Sequence, residues 1–283
     1  MERTYKKYGW LFVLPTLAAF CIGFIIPFLE GLYLSFCQFT TVGNATFNGI
    51  TNYIKALTDA SFLRSGGFTV LVAVVNVILI NVLAFALALA LTQKLKGTNI
   101  FRTIFFMPNL IGGIVLGYIW QILINCVLSL CSQPLLKLNA TAGYWGIIIL
   151  MCWQQIGYMM IIYIAGLQNV PDDLVEAAKI DGATDWQILW KIKIPMMMPS
   201  ITICVFLTLT NSFKLYDQNL ALTNGEPNHM TDMLAMNIFD TFYARAGKAW
   251  KGIGQAKAVI FSIVVVLVSF WQLKTTRSKE VQQ

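Results

Sequence analysis

Charged residues are scarce in this sequence. Only 12% of its 283 residues are Asp, Glu, Lys or Arg, whereas a soluble globular domain carries about a quarter. Hydrophobic residues make up 57% of the chain, and the mean hydropathy is +0.68. This composition argues against an ordinary soluble protein and favours a chain that lies largely in apolar surroundings.

Histidine and nucleotide-binding motifs are also lacking. His229 is the single histidine, which excludes histidine-based metal clusters and proton relays. Cys126 and Cys131 are close in sequence but have no histidine or carboxylate beside them. No G-x-x-x-x-G-K-[ST] phosphate-binding loop and no nucleophile–base constellation occurs. We therefore expect no metal site, no cofactor bound by this chain and no enzymatic activity of its own.

Long runs without charge are what the sequence has instead. A helix needs about 20 apolar residues to cross a bilayer, and six runs approach or exceed that length. The sixth is the shortest, and Lys257 is expected to extend it by snorkelling its amine to the interface. The sequence therefore predicts an all-α polytopic membrane protein, a single transmembrane domain over residues 1–283. The predicted membrane helices cover residues 10–30, 68–92, 103–125, 145–168, 195–216 and 253–274.

Two other interpretations of the runs are less consistent with the pattern. Buried helices of a soluble protein would carry polar faces at a 3.6-residue period, but between Val70 and Leu91 only Asn76 and Asn81 are strongly polar. We interpret these two asparagines as contacts between helices. The first run is too long for a signal peptide, and no small-x-small cleavage site follows before Glu30, so we expect a retained first helix.

Basic residues favour one orientation. With the N-terminus in the cytoplasm, the cytoplasmic segments hold 12 of the 20 Lys and Arg residues, including the clusters next to helix ends. We therefore expect a multi-pass membrane protein with both termini in the cytoplasm. Most of the net charge of +7 comes from these basic residues, which lie next to the lipid bilayer. No nucleic-acid partner is therefore expected.

Acidic residues concentrate in one segment. Five of the thirteen lie between Asp172 and Asp185, within the stretch NVPDDLVEAAKIDGATDWQILWKIKIP. Pro171 marks a helix start, and Gly182 ends or bends that helix before a second amphipathic piece begins. A solvated loop has no need of two amphipathic helices. The segment over residues 170–195 is therefore predicted to dock into a cleft of another protein.

This segment resembles the EAA loop of binding-protein-dependent ABC importers, whose pattern is EAA-x3-G-x9-I-x-L-P. The single departure is Ile194 in place of leucine. The resemblance implies a type I ABC importer permease fold in which a cytoplasmic coupling helix docks on the ATPase subunit. The residues that the resemblance assigns to this coupling are Glu176, Ala177, Ala178, Asp181, Gly182, Ala183 and Pro195.

Two further stretches resemble the sugar-type branch of the family. They are FRTIFFMPNLIGGIVLGYIWQILIN (Phe101 to Asn125) and NSFKLYDQNLALTNGEP (Asn211 to Pro227), in which Glu226 replaces a glycine. The resemblance implies a permease of the bacterial cytoplasmic (inner) membrane that translocates an oligosaccharide or related carbohydrate delivered by an extracellular solute-binding protein. It also implies a second homologous permease subunit and two ATP-binding-cassette ATPase subunits, which would carry the ATP-Mg.

Polar residues inside membrane helices indicate where a solute passes. Gln155 and Tyr158 share one helix face, and Asn211 and Lys214 share another. Amide, phenol and ammonium groups suit the hydroxyls of a sugar, and the family's sugar-contacting positions fall on these four residues. They are predicted to bind substrate, although such residues also hold helices together, and Lys214 can pair with Asp217.

Two alternatives to a sugar permease remain open. One is an ABC importer permease for a non-sugar solute such as phosphate, a polyamine or a peptide. The other is an ATP-independent secondary transporter, which predicts inverted repeats and coupled carboxylates in the membrane core. The sequence shows neither inverted repeats nor coupled carboxylates.

Overall fold

The structure, a computed structural model, describes Trp10 and residues 13–93 and 97–277. Six of the basic residues used in the orientation argument fall outside this part of the chain: Arg3, Lys6, Lys7, Lys94, Lys96 and Lys279. The longer helices, in chain order, are α1 (Val13–Leu34), α2 (Thr51–Thr58), α3 (Ala60–Leu91), α4 (Thr98–Phe106), α5 (Gly113–Leu130), α6 (Ala140–Gln168), α7 (Asp172–Ile180), α8 (Asp185–Met196), α9 (Met198–Phe213), α10 (Asp217–Leu222), α11 (Leu234–Phe239) and α12 (Lys248–Arg277). Two short strands, β1 (Cys37–Gln38) and β2 (Thr46–Phe47), pair antiparallel between α1 and α2.

Five of these helices are long and apolar enough to cross a membrane: α1, α3, α5, α6 and α12. Helices α8 and α9 pass the same test only as a pair, and they meet at a bend of 71°. The described residues thus contain five spans, or six if the bent pair is one span. The all-α polytopic membrane fold expected from the sequence is confirmed.

The third apolar segment is interrupted. Where one helix over 103–125 is predicted, α4 ends at Phe106, a 3₁₀ turn covers Met107–Leu110, and α5 begins at Gly113. Pro108 lies in the first turn of the 3₁₀ segment and cannot donate a helical hydrogen bond. Ile111 at the break donates its N–H to Pro108 O at 3.2 Å, and its carbonyl accepts from Gln154 Nε2 at 3.4 Å. Membrane proteins tolerate such non-helical backbone only where it is buried in protein or lines a cavity.

The contacts divide the chain into two compact units. The larger unit comprises Leu63–Asn237 and the residues from Ile263 onward, and its apolar core lies between α3, α6 and α9. The smaller unit comprises the residues up to Phe62 together with Ile238–Ser262. That the whole chain acts as one permease domain stays a prediction.

Buried asparagines connect the helices of the larger unit. Asn76 Nδ2 donates to Ser212 Oγ at 3.3 Å. Asn81 Nδ2 donates to Thr208 Oγ1 at 3.3 Å, and Asn81 Oδ1 accepts from Tyr163 Oη at 2.7 Å. The interpretation of both asparagines as contacts between helices is confirmed.

Removing the Tyr163 hydroxyl tests this network. The substitution Tyr163→Phe leaves Asn81 Oδ1 without its donor in a buried site. We expect a loss of about 1 kcal/mol in unfolding free energy, because hydrogen bonds between membrane helices average below that value and rarely exceed 2. Thermal unfolding in detergent measures the loss. Tyr158→Phe, a substitution on the same helix, is the control, and an equal loss in both variants would contradict the assignment.

A buried ion pair holds the smaller unit together. Lys257 Nζ, which is fully buried, lies 2.7 Å from Asp59 Oδ2 and donates to Thr241 Oγ1 at 2.8 Å. The ammonium also lies 5.2 Å from the ring centroid of Phe62. The expectation that Lys257 snorkels to the interface is therefore wrong, because a carboxylate and a hydroxyl neutralise and solvate the ammonium inside the protein.

Candidate functional site

The segment predicted to dock on a partner folds into α7 and α8. Asp172 and Asp173 occupy the first turn of α7, where the helix dipole favours negative charge. The helix ends at Gly182, whose φ of +79° is the left-handed conformation that glycine adopts without strain. Ala183 N donates back to Ala178 O at 2.9 Å and closes the turn. The sequence pattern thus sets both ends of α7.

Helix α7 is held by few contacts. Only Val175 and Ala178 are half-buried, and the rest of the helix is exposed in the described chain. Among the exposed residues, Leu174 is 46% and Ile180 is 82% accessible. Large apolar side chains on an otherwise polar helix mark a contact surface. Leu174 and Ile180 complete this surface and were not among the residues that the motif assigned to coupling.

The predicted coupling residues occupy both faces of the segment. Glu176, Ala177, Asp181 and Gly182 are exposed, whereas Ala178, Ala183 and Pro195 are half-buried. The first four are therefore available to a partner. The other three shape the segment and pack it on the larger unit.

Helix α8 begins with a complete capping box. Thr184 Oγ1 accepts from Gln187 N at 3.3 Å, and Gln187 Oε1 accepts from Thr184 N at 2.8 Å. This reciprocal pair satisfies two backbone donors at the helix start. A cavity of about 620 Å³ separates α7 and α8 from the ends of α3 and α6, and Val175 and Ile188 lie on its wall. The segment over residues 170–195 thus has well-defined helix ends, and a cavity lies between it and the neighbouring helices.

A second, polar cavity of about 240 Å³ lies among α6, α9, α10 and the break before α5. Three of the four predicted substrate-binding residues line it: Gln155, Asn211 and Lys214. Tyr158 does not line it, and its half-buried ring lies 6.4 Å from the ring of Phe106. The remaining lining residues are Asn109, Met151, Gln154, Leu215 and Gln218.

The amide side chains of this cavity form a partial network. Gln218 Nε2 donates to Gln154 Oε1 at 2.9 Å, and Gln154 Nε2 donates to the carbonyl of Ile111 at 3.4 Å. Gln155 is 5% exposed, and its Oε1 has no hydrogen-bond partner among the described residues. A buried acceptor without a donor is costly, and this acceptor belongs to a residue that lines the polar cavity.

Sequence reasoning missed Asn109, Gln154 and Gln218 as members of this cavity. Asn109 follows Pro108 in the helix break, and a proline inside an apolar run was the available signal. Gln218 reaches the cavity because α10 packs closely on α5. A Cβ at Gly117 would lie 2.5 Å from Ala221 Cβ, so only glycine permits this approach.

Comparisons with known proteins agree with this architecture. The family described as "Binding-protein-dependent transport system inner membrane component" matches residues 96–277. The probable starch degradation products transport system permease protein AmyD of Thermoanaerobacterium thermosulfurigenes is 40% identical, over 96% of this chain and 95% of that protein. The multiple sugar-binding transport system permease protein MsmF of Streptococcus mutans is 31% identical, over 98% and 97% of the two chains.

A solved structure shares the fold. A chain of a bacterial ABC transporter involved in the import of the acidic polysaccharide alginate superposes with a TM-score of 0.82. The match covers 98% of both chains at 19% sequence identity. At this identity the likeness establishes the fold alone, and it confirms the predicted fold class.

Proposed function

The chain belongs to the family of binding-protein-dependent transport system inner membrane components, and from this premise we propose that it is the permease subunit of a bacterial ABC importer for a sugar. The polar cavity beside α6 is the observation that carries the sugar assignment. It offers several amide groups and one ammonium, and these groups match the donors and acceptors of a carbohydrate. The names of the relatives AmyD and MsmF, which refer to starch degradation products and multiple sugars, support the same substrate class.

Gln155 is the group that a sugar would satisfy. A hydroxyl can donate to Gln155 Oε1, which lacks a partner among the described residues. Leaving such an acceptor unpaired costs about 1–3 kcal/mol, and binding of a hydroxyl removes that cost. The cavity volume of about 240 Å³ is below the roughly 300–1,000 Å³ of ordinary ligand pockets. We therefore infer that a second permease subunit contributes the rest of the binding site.

The proposed mechanism is alternating access driven by a separate ATPase. An extracellular binding protein delivers the sugar to the cavity, and two ATPase subunits bind ATP-Mg at the cytoplasmic side. Their closure moves α7, whose exposed Glu176, Ala177 and Gly182 form the contact. Because α7 connects through α8 to α9, a rigid-body shift of α7 reaches Asn211 and Lys214 at the end of α9. The chain itself hydrolyses nothing; it lies in the inner membrane with both termini in the cytoplasm.

The substitution Gln155→Leu separates binding from stability. The leucine removes an unpaired buried acceptor and keeps most of the volume, so we expect unchanged or slightly higher thermal stability. Sugar uptake should fall about tenfold, because the lost hydrogen bond to substrate is worth about 1.4 kcal/mol. Proteoliposome uptake at limiting substrate and thermal unfolding measure the two effects. Tyr158→Phe, outside the cavity, should leave uptake unchanged, and wild-type uptake by Gln155→Leu would contradict the assignment.

Co-purification tests the proposed partners. The chain is expressed together with the products of its neighbouring genes and purified in detergent through a tag on this chain alone. A stable complex with one second permease and two ATPase copies is expected. Purification of the chain alone, with transport driven by an ion gradient, would favour a secondary transporter instead.

A further inference from the structure

Two tryptophans form an exposed aromatic face on α8. Trp186 is 67% and Trp190 is 54% accessible, and their ring centroids lie 5.6 Å apart in an edge-to-face arrangement. Ile188, on the opposite side of the same helix, is 2% exposed. Helix α8 therefore packs on the rest of the larger unit through the side that carries Ile188, and its other side presents the tryptophans outward. Large exposed aromatic faces of this kind mark a contact with a partner or with lipid.

The direction of α8 places this face at a definite depth. Helices α8 and α9 qualify as a membrane span only together, and they meet at a bend of 71°. We take α9 as the part that crosses the bilayer, which makes it the sixth span of the proposed permease. With α9 near the bilayer normal, α8 rises only about 0.5 Å per residue instead of 1.5 Å. Trp190 and Trp186 then lie about 4 and 6 Å below the start of α9 at Met198. The headgroup region on each side of a bilayer is about 5–7 Å thick, so both rings fall within it when Met198 lies at the edge of the hydrocarbon core.

The charges beside the tryptophans fit the same location. Lys191 is exposed and directly follows Trp190, whereas Lys193 is half-buried and lines the cavity behind α8. Tryptophan rings concentrate at membrane–water interfaces, and lysines next to the cytoplasmic leaflet are attracted to its anionic headgroups. A face that combines two exposed indoles with the adjacent ammonium group of Lys191 is therefore complementary to an anionic bilayer surface.

We propose that the Trp186–Trp190 face of α8 binds the anionic lipid headgroups of the cytoplasmic leaflet. This inference rests on the proposed function in one respect, the placement of α8 on the cytoplasmic side. The lipid contact holds α8 in the membrane plane between the coupling helix α7 and the transport helix α9. The lipid contact prevents α8 from rotating out of the membrane plane. A movement imposed on α7 is therefore passed along α8 to α9.

Tryptophan quenching by brominated lipid tests the proposal. The complete transporter is placed in nanodiscs of phosphatidylglycerol and phosphatidylcholine whose acyl chains carry bromine near the glycerol end or near the methyl end. The fluorescence of Trp186 and Trp190 is obtained as the difference in emission between wild type and the double variant Trp186→Phe/Trp190→Phe. We expect bromine near the glycerol end to reduce this difference signal roughly by half, and bromine near the methyl end to reduce it less.

The control and the contrary results are distinct. Trp271, which is 69% exposed on the membrane-crossing α12, supplies a lipid-facing reference through Trp271→Phe. Absence of quenching for the pair, with quenching intact for Trp271, would overturn the proposal. Loss of the ATPase subunits from the purified double variant would instead make the face an ATPase contact. Neither result would alter the sugar uptake of the wild-type complex, so the proposed function is tested separately.

Discussion

Replacing Lys257 by methionine is expected to destabilise the protein by about 3 kcal/mol. The substitution removes the ammonium, and Asp59 keeps the hydrogen bond from Ser61 N at 2.9 Å. Breaking a buried ion pair by removing one partner costs about 3–5 kcal/mol. The lower end applies because the side chain of Asp59 is 20% exposed and water can reach it. Thermal or denaturant unfolding in detergent measures the loss.

Two further variants identify the cause of this loss. Lys248→Met makes the same change at an exposed position in the first turn of α12, and it should leave stability within about 0.5 kcal/mol of wild type. Adding Asp59→Asn to Lys257→Met removes the unpaired charge and should recover part of the loss. Equal effects of Lys248→Met and Lys257→Met would contradict the role of the ion pair.

The pH dependence of stability follows from the same pair. Burial alone would raise the pKa of Asp59, but hydrogen bonds from Lys257 and Ser61 outweigh it and lower that pKa from 3.8 to about 2. A carboxylate with a lowered pKa contributes stability that is present above its unfolded value and lost as pH falls through its folded value. The contribution of Asp59 should therefore be complete near pH 5 and be lost as the pH falls toward 2, and this acid-side loss should be absent from Asp59→Asn.

Reversing the charge of Glu176 is expected to abolish most transport while the protein still folds. Glu176 is exposed on α7 and has no ion-pair partner within the described residues, so Glu176→Arg removes little from the fold. At a central position of a docking surface, such a change costs 2 kcal/mol or more, which is roughly a thirtyfold loss of affinity for the ATPase. Sugar uptake by proteoliposomes and the yield of ATPase in co-purification measure the effect.

The matched control for Glu176→Arg is Asp185→Arg. Asp185 begins α8 and lines the cavity of about 620 Å³ between α7, α8 and the ends of α3 and α6. Its reversal changes the charge of the segment by the same amount and leaves the exposed face of α7 unaltered. It should retain most ATPase binding. Binding of the sugar-loaded binding protein should be preserved in both variants. Wild-type uptake by the Glu176→Arg complex would show that α7 is not the coupling helix.

Local patterns in the sequence were enough to predict an all-α polytopic membrane fold and the position of the amphipathic helix α7. Charge-free runs report directly on burial in lipid, and the spacing from Glu176 to Pro195 is a property of one contiguous segment. Gln155, Asn211 and Lys214 could be proposed together because each interrupts an apolar run. The break before α5 was missed because Pro108 alone does not determine whether a membrane helix bends or ends.

Contacts between distant parts of the chain could not be predicted in the same way. Lys257 was expected at the interface because the sixth apolar run is short, and Asp59, its ion-pair partner, reaches it only through the fold. Gln218 enters the cavity only because Gly117 lets α10 approach α5. Whether a polar residue lines a cavity or pairs with a neighbour depends on which helices meet, and spacing along one helix carries no such information.

ATP hydrolysis and sugar uptake by the reconstituted complex test the central proposal most directly. Proteoliposomes containing this chain, its second permease and its ATPase subunits are supplied with ATP inside and a binding protein outside, loaded with one candidate sugar at a time. The account predicts that one sugar-loaded binding protein stimulates hydrolysis and drives accumulation of that sugar, and that the empty binding protein does so less. Accumulation without ATP, or with an ion gradient alone, would contradict it.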